Sequence, residues 1–401
     1  MSQDTDLSTS PPTLGSRISL SDHDETSDSG LTTPRQPLPP SHNEDMPNRD
    51  QVVIHPSQEA LESQDSGLDH IEVDPNHQYR QYRPDSGYDG EVQTLASSTL
   101  AYPVEHGRRF HAYRDGNYIM PNDERESDRL DMIHHLMTLS LGNRLHKAPL
   151  DNPRRILDVG TGTGIWAMEM GYQLKHKTGD LYPEAFVLGN DLSPIQPSLV
   201  PPNVYFEVDD VESPWAYNEP FDFIHCRYLT TAITDWPKLV SQVYQFVIPA
   251  RSHTAPNGWA EMMDYDLQLY SEDGSLTNDR PVMVWLDHIL TASRMTGRDP
   301  CPGPQLEGWM REVGFTNIHH ELLKLPVGIW PNDPHLKSIG AWNFLQMLNG
   351  LEAFSLRLWT HVLGRQWEQL QRLLVDVRND FRDPGLHICI NMHLVYGQKV
   401  V

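Results

Sequence analysis

The 401-residue sequence predicts an α/β fold, doubly wound around a mostly parallel sheet. Two observations carry this. Between residues 155 and 265, short apolar runs alternate with stretches of helical period, the pattern of repeated strand–crossover–strand units. The first run, Arg155–Val159, leads straight into three alternating glycines, Gly160, Gly162 and Gly164. Lacking Cβ atoms, these allow a sharp turn pressed against a ligand. A helix starting at Ile165 would then aim its unpaired N–H groups at whatever the turn holds.

Order is expected to begin near Phe110. Asp123 or Ser127 can cap a helix over Glu124–His146, with Leu130, Ile133, Met137, Leu141 and Leu145 at helical spacing. Strands are expected at Arg155–Val159, Ala185–Asp191, Val204–Asp209, Phe221–His225 and Trp259–Tyr265, with helices over 165–177 and 235–247 between them. Later, Arg280–Met295 and Gly303–Val313 read as helices, and His335–Asp380 as mostly helical. The stretch 280–380 is therefore taken as a helical insertion. His387–Gln398 alternates and would supply a last, antiparallel strand. One catalytic domain over 110–401 accounts for all of this.

The glycine spacing excludes two common sites. A dinucleotide fingerprint would need its third glycine where Ile165 stands. A phosphate loop needs Gly-Lys-Ser/Thr where the chain has Gly164-Ile165-Trp166. In an open parallel sheet, ligands bind beyond the carboxyl ends of the strands, and there the chain places acids. Asp158 precedes the glycine turn and suits a cationic amino group. Asp191 ends the second strand, followed by Leu192, and suits a pair of ribose hydroxyls. At the third strand's end Asp210 can accept from an exocyclic amine while the Val211 N–H donates to an adenine ring. Any one of these is equally a turn or cap residue; their succession behind the glycine turn is the signal.

Asp158-Val159-Gly160-Thr161-Gly162-Thr163-Gly164 resembles the first motif of S-adenosylmethionine-dependent methyltransferases. The runs Ile165-Trp166-Ala167, Asp191-Leu192-Ser193-Pro194-Ile195-Gln196-Pro197 and Asp209-Asp210-Val211-Glu212-Ser213-Pro214-Trp215 narrow the resemblance to the fungal LaeA-like methyltransferases, including velvet-interacting members. Pro121-Asn122-Asp123-Glu124 and Thr234-Asp235-Trp236-Pro237 extend it over residues 112–401. The resemblance implies a Rossmann-like class I fold with a seven-stranded sheet and S-adenosyl-L-methionine as cofactor. It implies a regulatory role in development and secondary metabolism, velvet-domain partners, and a place in the nucleus or cytoplasm. Two other functions stay open: a scaffold without turnover, and a small-molecule methyltransferase of a biosynthetic pathway. One departure stands out. Where the family has a short Pro-Gly-Gly turn, residues 250–257 separate Pro249 from Gly258.

The net charge of −24 excludes unaided nucleic-acid binding, which needs clustered Lys and Arg. Residues 1–95 hold 18 acids against five arginines, with no Lys, Trp or Phe. Such a tail cannot bury enough apolar surface to order itself and is expected to be disordered. Its repeats at Asp28-Ser29-Gly30, Asp65-Ser66-Gly67 and Asp85-Ser86-Gly87 read as phosphorylation sites or as chance in a biased tract. Cys226, Cys301 and Cys389 have neither disulfide nor metal spacing, which suggests reduced thiols. No apolar run approaches the ~20 residues of a membrane span.

For chemistry, methyl transfer is an in-line displacement that needs a base only if the acceptor must first lose a proton. Groups facing the methyl should lie after the fourth strand, at His225, Arg227 and Tyr228, with His225 and Tyr228 as the base candidates and Asp264 and Tyr265, after the fifth strand, as further options. Tyr113 and Tyr118 are placed to close over the cofactor. His134-His135 and His319-His320 lack the spacing and third ligand of a metal site, so none is assigned.

Overall fold

The computed structural model describes residues 101–113, 118–178, 185–250 and 258–401, and the two-residue strands β1 (Gln78–Tyr79) and β2 (Gln93–Thr94), which pair antiparallel. The Asp-Ser-Gly repeats and residues 251–257 of the expected loop lie outside the described residues.

A hairpin of β3 (Val104–Glu105) and β4 (Arg108–Arg109) leads to α1 (Glu124–Ser140). The Asp123 side chain caps α1 by accepting the Glu126 N–H, and it also takes two bonds from the Arg108 guanidinium at 2.6 and 2.9 Å. The hairpin is thereby clamped to the helix start. The helix stops six residues short of the expected His146. Gly142 and Asn143 both adopt left-handed backbone, which ends a helix.

Next come β5 (Arg155–Val159), α2 (Ile165–Thr178), β6 (Phe186–Asp191), β7 (Val204–Val208), β8 (Phe223–Arg227), α3 (Trp236–Phe246) and β9 (Trp259–Tyr270). The five strands are parallel, and all but β7 are buried along most of their length, as the apolar runs require. β8 lies two residues later than expected, because Phe221 instead bridges Val247 after α3. The chain continues through α4 (Pro281–Met295), α5 (Leu306–Val313), β10 (Thr316–Pro326), α6 (Pro334–Arg357), α7 (Trp367–Arg382) and β11 (Cys389–Gln398). The sheet order is β10-β11-β9-β8-β5-β6-β7, with β11 antiparallel to both its neighbours. This is the doubly wound, mostly parallel seven-stranded sheet. Strand order reverses between β5 and β8, which fixes where a ligand should sit.

The 280–380 insertion needs correcting: it is not one helical block, because β10 divides it and joins the main sheet as an edge strand. Two cores flank the β5–β8 centre. One, around Trp166, Met170 and Phe206, lies under α2; the other, around Trp236, Leu239 and Met310, lies under α3 and α5. A third core packs α1, α4, α6 and α7 on the far ends of β9 and β11, through Trp285, Leu351 and Met392. That helical layer stands beside the mouth of the sheet. Asp333 caps its longest helix, accepting the Leu336 N–H at 2.8 Å. Asp333→Ala should lower unfolding free energy in urea by about 1 kcal/mol with the slope unchanged; no change would mean the cap bond adds nothing to α6.

Candidate functional site

The sequence builds the site at the reversal point. Gly160, Gly162 and Gly164 all have left-handed backbone, with φ of 66, 58 and 79°. A Cβ at Gly160 would lie 2.5 Å from Leu229 Cδ2, and one at Gly164 2.4 Å from Phe206 Cζ. At Gly162 a Cβ would meet only Leu130 Cδ1, at an ordinary contact distance of 3.6 Å. The turn is held from β6. Asn190 Oδ1 accepts the Gly160 N–H, Asp191 Oδ2 accepts the Gly162 N–H, and Gln196 donates to the Gly162 carbonyl.

Around the turn opens a cleft of about 1170 Å3, counted out to its solvent mouth. Asp158, Gly160, Gly162, Asp191, Leu192, Asp210 and Val211 line it together, whereas Gly164 does not. Gly164 serves instead by admitting the Phe206 ring against the turn. Asp158 accepts from His225 Nδ1 at 2.8 Å and Thr161 Oγ1 at 2.6 Å. Asp191 accepts from Gly162 and Ser193 N–H groups, and its desolvation lifts its pKa to about 6 despite those bonds. Each carboxylate oxygen keeps a further lone pair for a ligand.

The structure corrects the reading of His225 as a base candidate. Its ring lies flat on Trp166 at 3.8 Å, its Nδ1–H is spent on Asp158, and it is 2% exposed and absent from the cleft lining. Burial depresses its pKa, opposed by Asp158. His225 is a positioning residue for the Asp158 carboxylate. Asp264 is likewise buried and anchors the chain after β8, accepting from Leu229 N–H, Thr230 N–H and the Thr230 hydroxyl. Tyr228 does line the cleft, and its hydroxyl accepts from Arg129 Nη1 at 3.0 Å. Tyr118 lines it too; Tyr113 is not in the lining.

Sequence reasoning missed several contributors. Leu130 and Ile133 of α1, Asn122, Ser193 and Leu229 complete the walls. Arg227, one of the residues expected after the fourth strand, lines the cleft and donates to His134 Nδ1 at 3.0 Å, while His134 Nε2 meets Glu169 at 3.2 Å. Desolvation, helped by the Arg227 charge, pushes His134 down to about 3, so it is neutral and donates from Nε2. Two runs held a sequence signal for these residues: Asp191-Leu192-Ser193-Pro194-Ile195-Gln196, whose Gln196 donates to the Gly162 carbonyl, and Pro121-Asn122-Asp123-Glu124, whose Asn122 donates to the Ser193 hydroxyl.

The donor set decides the kind of ligand. Asp158, Asp191, Asp209, Asp210 and Glu212 line the cleft against the single guanidinium of Arg227. Phosphates would be repelled, whereas a cationic nucleoside is favoured. A methyltransferase-domain family matches residues 123–320. The chain is 43% identical over 318 residues to methyltransferase pytC of Aspergillus terreus, covering 79% of this chain and 94% of that one. It is 34% identical over 298 residues to secondary metabolism regulator LAE1 of Cochliobolus heterostrophus, covering 73% and 92%. It is 32% identical over 313 residues to secondary metabolism regulator laeA of Monascus pilosus, covering 77% and 81%.

The chain belongs to the LaeA-like S-adenosylmethionine-dependent methyltransferases.

The cofactor of this methyltransferase is S-adenosyl-L-methionine. The cleft fits it: a sulfonium and an ammonium answer the carboxylate excess, and the bare turn at Gly162 leaves room for close approach. Among the described residues, no group of three His, Cys, Asp or Glu side chains is placed to hold a metal, and no helix is long and apolar enough to cross a membrane.

Proposed function

We propose that this LaeA-like chain is a working methyltransferase of secondary metabolism that turns over an acceptor beside the Gly160–Gly164 turn. The observation that carries the reading is the carboxylate-rich cleft on a turn pinned from three sides. Bound there, the cofactor supplies an electrophilic methyl group. Asp158, steadied by His225 and Thr161, holds the amino group; Asp191, with Leu192 beside it, holds the ribose hydroxyls; Asp210 and the Val211 N–H read the adenine. The bound group would act as methyl donor to an acceptor lone pair, with its sulfur as the leaving atom. Asp191→Asn should weaken S-adenosylmethionine binding about tenfold in calorimetry, because an amide presents one acceptor where the carboxylate presents two. Transfer of a labelled methyl group by the intact chain separates an enzyme from a scaffold; cofactor binding with no turnover on any extract would sink the proposal.

A second reading has one specific support. The 30–34% identity to secondary metabolism regulators favours a regulatory role with velvet-domain partners, in the nucleus or cytoplasm. Affinity purification of the tagged chain tests it: velvet-domain proteins among the captured material would favour it, and their absence alongside turnover would leave the enzyme alone.

A further inference from the structure

Next to the cofactor cleft lies a second space of about 780 Å3, counted out to its solvent mouth. Tyr118 and Tyr228 line both, so a molecule seated in the second chamber abuts the first. Its walls come from the far end of β9, from α4 and from α6, where the helical layer meets the sheet. Trp285, Leu286, Ile289, Met347 and Phe354 are among the apolar side chains that line it. Among the described residues, no charged side chain lines it. The Arg129 guanidinium, which reaches the lining residues Tyr228 and Gln346, is spent on Glu126, the Tyr228 hydroxyl and Gln346.

One polar atom there has no protein partner. Tyr265 is 2% exposed, and its hydroxyl makes no hydrogen bond to any described residue, although a buried hydroxyl without one is costly. The connecting segment is strained: Tyr228 and Thr231, neither a glycine, sit at φ of 57 and 66° and line the chamber. Such conformations persist where surrounding structure imposes them, and here Asp264 does so from beneath.

We infer that this chamber binds the methyl acceptor, an uncharged and largely apolar small molecule carrying one hydroxyl or carbonyl for the Tyr265 hydroxyl. The inference rests on the methyltransferase reading above and names its substrate class. A lysine or arginine side chain of a protein does not suit the chamber, because no carboxylate lines it to receive a cation.

The test titrates the full-length chain with 2-naphthol, followed by its fluorescence, and with 2-naphthoate and 2-naphthylmethylammonium as shape-matched ions. Neutral 2-naphthol should bind at least about tenfold more tightly than either ion. Tyr265→Phe should weaken it about threefold, as expected for a lost neutral hydrogen bond, without affecting naphthalene. Met347→Trp should abolish it by filling the chamber, and Ile289→Phe serves if that variant does not fold. Calorimetry with S-adenosylmethionine should find cofactor binding unchanged in each folded variant. Equal binding of the ions, or 2-naphthol affinity indifferent to the filling variants, overturns the assignment. A chain that binds the cofactor but not 2-naphthol overturns the chamber alone. One that binds 2-naphthol but not the cofactor supports the chamber as a ligand site and overturns the reading beneath it.

Discussion

Gly162→Val is expected to cost about 100-fold in affinity for S-adenosylmethionine while the protein still folds. Gly162 holds φ of 58°, which costs an ordinary residue about 1–2 kcal/mol and a β-branched one more. Gly162 lines the cleft and a Cβ there would touch only Leu130, another lining residue, at 3.6 Å, so the larger valine would intrude on the cleft wall and not on the core. If the backbone relaxes to relieve strain, the Gly162 N–H leaves Asp191 and the carboxylate loses its orientation. Together these effects amount to roughly 3 kcal/mol, or two decades in binding. The control is Gly164→Ala, whose methyl would strike the Phe206 ring, so its damage should appear chiefly as a lower melting temperature. Calorimetry and thermal melts on both variants check this. A Gly162→Val protein that binds the cofactor like the parent would mean the turn does not touch it.

That contrast also marks what could be read in advance. The three glycines and the acids at the ends of β5, β6 and β7 are local patterns, and in the structure Asp158, Asp191, Asp210 and Val211 line one cleft. Nothing local distinguishes Gly164, which packs, from Gly162, which lines the cleft; Phe206 decides that from 42 residues away in sequence. The misreading of His225 has the same cause. A histidine at a strand end suits a base until the indole of Trp166, on another element, covers it. The strand β10 escaped because its alternation breaks: a register shift between Thr316 and His319 leaves both His319 and His320 exposed, hiding the period of two. The apolar chamber was invisible because its walls, on β9, α4 and α6, meet only in the folded chain.

The buried carboxylates have a consequence for pH, and Glu261 shows it most clearly. It lies on β9 in register with His225 on β8, 1% exposed, with Oε2 accepting the N–H groups of Lys147 and Ala148. Its Oε1 has no hydrogen-bond partner among the described residues. Desolvation outweighs the two N–H donors and the Arg227 charge, and lifts its pKa from 4.5 to about 7. The folded protein therefore holds this proton up to about pH 7, while the unfolded chain releases it near 4.5. Between those values the unfolded state binds fewer protons, so stability should fall as pH rises and level off above 7. Asp191 and Asp264, both lifted to about 6 mainly by burial, push the same way. Glu261→Gln keeps an acceptor for Lys147 and Ala148 but cannot ionise. It should therefore raise stability by about 3 kcal/mol at pH 8 and by little at pH 4.5, flattening that part of the profile. Urea unfolding of parent and variant across this range measures the difference. A gap that does not grow with pH would mean that Glu261 is ionised and solvated in the native protein, and that the floor beneath Asp158 and His225 is wetter than its packing implies.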